Sequence, residues 1–238
     1  MLTTTALTHG TWPRRLPLPT TKDHPHLWHL TTPHPTALTT THHQILNPTE
    51  RHRATSLRRP EDRTTYLTAH VSLRMLLAAY LGADPADLPL YRMPCTSCQG
   101  PHGRPALVGH PLHFSLSHTT GLCVLAFAAT TVGIDAEPPA TPTVADEVAA
   151  ALHPRETAEL RALPPTHRAT AFTRAWTRKE ALLKALGTGL NRRPSLEYVG
   201  TGEQPLAPPG WTISDVTVPD TTHTAAVALR TPTSPPPP

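Results

Sequence analysis

Tyr66, His70, Leu73, Leu77 and Tyr80 recur at intervals of four and three, the spacing of one face of an α-helix. The pattern starts near "RRPEDR" and stops at Gly82, a residue suited to the left-handed conformation that closes helices. His70 lies within the apolar stripe and reads as a core histidine. The period then shortens to two. "LHFSLSH" (112–118), "GLCVLAFAA" (121–129) and "VGIDAE" (132–137) read as strands, and the short gaps between them predict an antiparallel meander. Helical spacing returns in "VADEVAAALH" (144–153). It returns again after Pro164-Pro165, in a helix predicted to be capped by Thr166 and to end at Gly187, with Phe172, Ala175, Trp176, Leu183 and Leu186 on its apolar face. "LEYVG", "WTISDVTV" and "TAAVALR" are late strands. The chain therefore reads as an α+β protein in which helix-plus-antiparallel-strand patterns occur twice. Residues 1–44 read as exposed strands or loops, and the Pro-rich end, 231–238, as disordered.

Composition narrows the classes. The 238 residues carry a net charge of +4, with no basic run longer than two and only 5% aromatics. That is too little for a nucleic-acid arm or a base-stacking platform, and it suits an acidic partner or a phosphorylated ligand. There is no leader-like or membrane-spanning apolar run, and three cysteines are too few for a disulfide framework, so the cytoplasm is the expected compartment. Cys95, Cys98 and His102 fall in "CTSCQGPHG". A zinc site needs a fourth ligand and no second pair is evident, so these read as plain loop residues.

The lysines are informative. There are three, against eighteen arginines, and two of them, Lys179 and Lys184, flank Glu180 in "WTRKEALLK". Glu180 lies four residues after Trp176 and four before Lys184, so the three share one helix side; a Glu–Lys pair at that spacing is by itself an ordinary surface pair. Arginine would serve such a pair as well. Lysine differs in being compact and able to give up its proton, which points to phosphate contact or proton transfer. Asp135 and Glu137 alternate along a strand and so share a face, just before Pro138-Pro139 ends it. Alone, such a pair is more often a solvated strand end. Two carboxylates on one face are otherwise relieved by a hard cation such as Mg2+. Arg104, Ser117 and His118 are candidate phosphate contacts.

"GRP" (103–105), "FSLSH" (114–118), "VGIDAE" (132–137) and "WTRKEALLK" (176–184), in this order, resemble the signature blocks of the Sfp-type 4'-phosphopantetheinyl transferases, and "EDRTTYLTAHVSLRMLL" is similar to that family's first long helix. Arg104 stands where the family often has Lys, and Ser115 where it commonly has Asn. The resemblance implies a monomer of two similar, pseudo-twofold α+β halves, 1–130 and 131–230, with the active site in the cleft between them. It implies transfer of phosphopantetheine from coenzyme A to a serine of an acidic acyl- or peptidyl-carrier protein, often of a polyketide or non-ribosomal peptide synthase. Asp135, Glu137 and Glu180 are then expected to hold Mg2+. Glu180 is the expected base and Lys184 the group that neutralises or protonates the leaving phosphate. Arg51, Arg53, Arg104, Ser117, His118, Lys179 and Lys184 are expected to contact coenzyme A. A Mg2+-dependent phosphoesterase or nuclease, and a non-catalytic coenzyme A or nucleic-acid binding module, are the alternatives.

Overall fold

The computed structural model describes residues 1–8, 10–21, 24–32, 44–109, 112–218 and 222–231. The expectation for the Pro-rich end lies, apart from residue 231, outside the described residues. Two four-stranded sheets carry the fold. In one, β2 (Thr5–Ala6), β3 (His26–Thr31), β7 (Leu122–Ala128) and β6 (His113–Thr119) lie in that order. In the other the order is β1 (Leu2–Thr3), β9 (Trp211–Thr217), β10 (Thr224–Arg230) and β8 (Val132–Glu137). A small antiparallel hairpin joins β4 (Leu90–Arg92) and β5 (Pro105–Leu107).

The strand sequences explain how the layers stack. β7 is buried along its whole length. Its alternate side chains fill two different cores. Cys123, Leu125 and Phe127 pack with Leu73, Leu76 and Leu77 of α2 (Pro60–Leu81). Leu122, Val124 and Ala126 pack between the sheets against Val132, Ile134 and Val227. β10 divides in the same way: Ala225, Val227 and Leu229 face the inter-sheet core, and Ala226 and Ala228 face Ala181, Leu182 and Ala185 of α5 (Pro165–Leu186). The order of layers is helix, sheet, sheet, helix. Each sheet is covered by a 22-residue helix that opens on Pro and closes on a left-handed Gly (Gly82 or Gly187), and the last strand after each helix returns beside a strand that precedes it, β7 beside β3 and β10 beside β8, with the β4–β5 hairpin intervening in the first case.

Several sequence expectations change. β8 leaves the meander: β6 and β7 pair as a hairpin, but β8 pairs with β10 in the other sheet. It remains beside β6, where side chains replace the backbone ladder and Ser115 Oγ accepts from the Ile134 N–H at 3.1 Å. β1 pairs with β9, so the first residues of the chain belong to the sheet formed mainly by its second half. "LEYVG" is no strand, because its backbone is used by helix side chains: Val199 N–H donates to Glu156 at 2.8 Å and the Glu197 carbonyl accepts from Lys179. The region after Thr141 is a short helix, α3 (Pro142–Val148), followed by a 3-10 turn. α4 (Pro154–Ala162) was not expected, nor was α1 (Pro48–Ser56). Both carry Pro at N1 and a Glu that returns to the cap N–H, Glu50 to Asn47 and Glu156 to His153. α5 starts at Pro165 with no side-chain cap, so Thr166 lies inside the first turn.

Gly133 is where β8 and α5 come closest. A Cβ at this position would lie 2.0 Å from the Ala181 carbonyl oxygen and 2.5 Å from the Ala185 nitrogen. Both are backbone atoms, so relief requires moving the helix. Gly133→Ala is expected to cost about 3 kcal/mol or more, measured as a lower urea midpoint; an unchanged midpoint would show that the helix can shift freely.

Candidate active site

The face of β8 that carries Gly133 also carries Asp135 and Glu137, while Ile134 and Ala136 point into the inter-sheet core. α5 lies over that face with Trp176, Glu180 and Lys184 one turn apart. The two patterns interlock. Lys184 Nζ is 2.6 Å from Asp135 Oδ1, and Trp176 hydrogen-bonds Glu137. Ser117, from β6, joins them: its hydroxyl donates to Asp135 Oδ1 at 2.8 Å and accepts from Lys184 Nζ at 2.8 Å. Three elements thus meet at one carboxylate that is 2% exposed, and Lys184 keeps a path to solvent with its side chain 30% exposed.

The charges here are unbalanced. Burial, then the negative charges of Asp135 and Glu180, push the Glu137 carboxyl up to about 7. Burial, then Asp135, raises Glu180 as well. Asp135 Oδ2 is buried and has no hydrogen-bond partner among the described residues. An orphaned carboxylate oxygen beside two carboxyls that resist ionisation fits a divalent cation, which would satisfy the first and lower the other two. The oxygens of the three residues do not all come within 4.8 Å of one another, a closeness reached among the described residues by Cys95, Cys98 and His102. In their place the Lys184 ammonium sits on Asp135.

A basic group borders the carboxylates. Desolvation first, then the nearby charges of His70, Lys184 and Arg53, lower the His118 imidazole to about 4, although the side chain reaches solvent. Its ring meets Tyr66 edge-on, with centroids 6.2 Å apart. Tyr66 stacks on His70, and its phenol, pushed up to about 12 chiefly by burial, also feels Arg53 and Arg92. Glu50, at the start of α1, holds His70 at 3.2 Å and Arg74 at 2.8 Å, fixing that helix against α2. Arg53, His118 and Lys184 therefore come together. Tyr66, His70 and Arg92 join them, which the sequence did not single out; Tyr66 and His70 were hidden in an apolar stripe.

Other expected contacts lie elsewhere. Lys179 is 2% exposed and pairs with the fully buried Glu156 at 2.7 Å, while its ammonium also donates to the Glu197 carbonyl. It has no face left for a phosphate, so its expected contact with coenzyme A is corrected to a structural pair linking α4, α5 and the loop after α5. Arg104 donates to the Ala185 carbonyl at 3.2 Å and lines a cleft with Tyr91, Met93 and His113, at the end of β6 away from His118. Arg51 bonds the Leu46 carbonyl at the entry to α1.

Comparison with known proteins places this geometry in a family. Residues 131–209, which contain Asp135, Glu137, Glu180 and Lys184, match the 4'-phosphopantetheinyl transferase superfamily. The chain is 30% identical over 233 residues to the 4'-phosphopantetheinyl transferase HetI of Nostoc sp., covering 94% of each chain. The chain belongs to the 4'-phosphopantetheinyl transferase superfamily. A provisionally named transferase of Synechocystis sp., slr0495, is 29% identical over 175 residues, which is 70% of this chain and 66% of that protein. The transferase has no helix among its described residues long and apolar enough to cross a membrane.

The raised Glu137 gives a pH signature in the metal-free transferase. Its carboxyl ordinarily titrates at 4.5 but holds its proton to about 7 in the fold. Between those values the native state binds a proton that the unfolded chain has released. The resulting stability is present in acid and lost as pH rises through about 7. Glu137→Gln lacks this titration, and contributions such as that of His118 are common to both proteins. The stability of wild type minus that of Glu137→Gln, from urea titrations in EDTA, should therefore fall between about pH 5 and about pH 8. A flat difference would mean that Glu137 is freely solvated.

Proposed function

We propose that the transferase moves 4'-phosphopantetheine from coenzyme A to a serine hydroxyl of an acyl- or peptidyl-carrier protein, leaving adenosine 3',5'-bisphosphate. The observation that carries this reading is the Asp135–Lys184 pair, with its orphaned carboxylate oxygen, beside two proton-holding carboxyls and near the basic side chains of Arg53 and His118. Asp135, Glu137 and Glu180 would hold Mg2+, and that ion would neutralise charge on the pyrophosphate. Glu180 takes the proton of the attacking serine, directly or through water. The serine oxygen forms a bond to the phosphorus bearing pantetheine, and the bond from that phosphorus to the bridging oxygen breaks. Lys184 gives its proton to the departing phosphate. Arg53 and His118, with Ser117 holding Lys184 in place, bind phosphate oxygens; Arg51 and Arg104 are exposed or half-buried cations that could extend this contact. This is the Sfp-type arrangement, in which halves 1–130 and 131–230 enclose the cleft and a monomer suffices in the cytoplasm. A net charge of +4 favours an acidic carrier.

The direct test incubates the chain with coenzyme A, Mg2+ and a panel of apo-carriers. A carrier that gains the mass of one phosphopantetheine supports transfer. Hydrolysis of coenzyme A with every carrier left unmodified would instead indicate a phosphoesterase.

Lys184→Arg separates charge from proton donation. Both side chains are cations, but arginine does not release its proton. With saturating apo-carrier, kcat should fall about 10²-fold or more, while the calorimetric Kd for coenzyme A changes much less. An unchanged kcat would reduce Lys184 to a simple charge.

A further inference from the structure

The loop between β4 and β5 carries a second chemical constellation that phosphopantetheine transfer does not use. Cys95, Cys98 and His102 place Sγ, Sγ and a ring nitrogen within 4.8 Å of one another. Cys98 Sγ and His102 Nε2 are 2.9 Å apart. The loop is folded to achieve this. The Cys95 N–H donates to the Gly100 carbonyl at 2.8 Å, which draws the two ends of the loop together. The Gln99 N–H closes on the Cys95 carbonyl at 2.8 Å. Gln99 then takes φ 61°, the non-glycine residue with positive φ among those described, a conformation that needs a reason in its surroundings. At Gly100 a Cβ would come within 3.0 Å of the His102 ring and 3.3 Å of Cys98 Sγ, so glycine keeps the space between the donors open.

We propose that Cys95, Cys98 and His102 bind a zinc ion that fastens the β4–β5 loop to the C-terminal end of α5. Two thiolates and an imidazole suit Zn2+ better than the hard cation suited to Asp135. Binding forms two Zn–S bonds and one Zn–N bond and releases the two thiol protons to solvent. The fourth position is supplied from across the fold. The Asn191 side chain hydrogen-bonds Cys95, and its Nδ2 lies 3.3 Å from His102 Nε2. An amide turn exchanging its nitrogen and oxygen presents Oδ1 to the ion. Asn191 ends the 3-10 turn that follows α5, and Thr96 Oγ1 of the same loop donates to the Leu186 carbonyl at 3.0 Å. The ion thus joins one half of the chain to the other. It also sets Arg104, two residues after His102, which contacts the end of α5. The fourth ligand that the sequence lacked is 89 residues from His102.

The test uses the full chain, purified from zinc-supplemented cells without chelator. Metal analysis after gel filtration should give one zinc per chain in wild type and in Glu137→Gln, and less than a tenth of that in Cys98→Ser and His102→Gln. Cys98 and His102 are exposed, so both variants are expected to fold. Chelator-stripped, reduced wild type should take up one equivalent of Co2+, with thiolate charge-transfer bands and the visible absorption of tetrahedral cobalt; Asn191→Ala should weaken this uptake several-fold. The proposal is overturned if stripped protein takes up neither Zn2+ nor Co2+. It is equally overturned if bound cobalt shows no thiolate bands, or if zinc is lost in Glu137→Gln and kept in Cys98→Ser.

Discussion

The absence of a side chain at Gly133 lets the backbone of α5 lie directly on β8. The whole site hangs on this approach. Asp135 and Glu137 follow Gly133 on the same strand face, and Glu180 and Lys184 lie on the turn of helix that covers it. Were the helix held a methyl group further away, the 2.6 Å contact between Lys184 and Asp135 would open. The partners of α5 on β10 are likewise small, Ala226 and Ala228. Close packing is therefore continuous from the core to the charged rim, and the core fixes the position of the chemistry.

The two lysines of one helix have opposite fates for the same physical reason. A compact ammonium on a flexible stem can be enclosed by a few oxygens. At Lys179 those oxygens are the Glu156 carboxylate and a backbone carbonyl, and water is excluded; removing either partner of such a pair typically costs about 3–5 kcal/mol. At Lys184 they are Asp135 and Ser117, and one side remains open to solvent. Arg178, next to Lys179, has a third role. Its fully buried guanidinium forks onto Asp215 at 2.6 and 2.8 Å and gathers the carbonyls of Gly200, Gly202 and Glu203. The planar fork holds β9 and a turn to the helix, which a point charge could not do. One short stretch thus contains a buried structural ammonium, a structural guanidinium and a half-open ammonium in the candidate site, distinguished by what faces each.

Site electrostatics follow from burial combined with like charge. Among the described residues, Asp135 is the carboxylate of this group that forms an ion pair, with Lys184. Glu137 and Glu180 are left to share its field in a half-dry cleft, which raises both. The His118 imidazole does not compensate, because burial, then the charges of His70, Lys184 and Arg53, lower it to about 4 and leave it neutral near pH 7. Raised carboxyls beside a lowered imidazole form the kind of perturbed cluster in which functional sites are found.

By itself the sequence determined the long helices and most strands. Helical and strand periods, proline at helix starts and glycine at helix ends are local signals, and α2, α5, β6 to β10 and the family's blocks carry them without outside help. It also determined that Asp135 shares a strand face with Glu137 and that Glu180 shares a helix side with Lys184, because alternation along a strand and the four-residue step of a helix fix which residues share a face; that the two pairs belong together was what the family resemblance implied. Tertiary structure decided what those faces meet. It moved β8 out of the meander and into the other sheet, since strand partners are chosen by packing between layers. It buried Lys179 by way of Glu156, a residue in a helix with little apolar pattern of its own. It brought Asn191 to Cys95 and His102, and Tyr66 to His118. Each of these is a contact between residues distant along the chain, and no local period encodes which distant side chain will fill the space opposite.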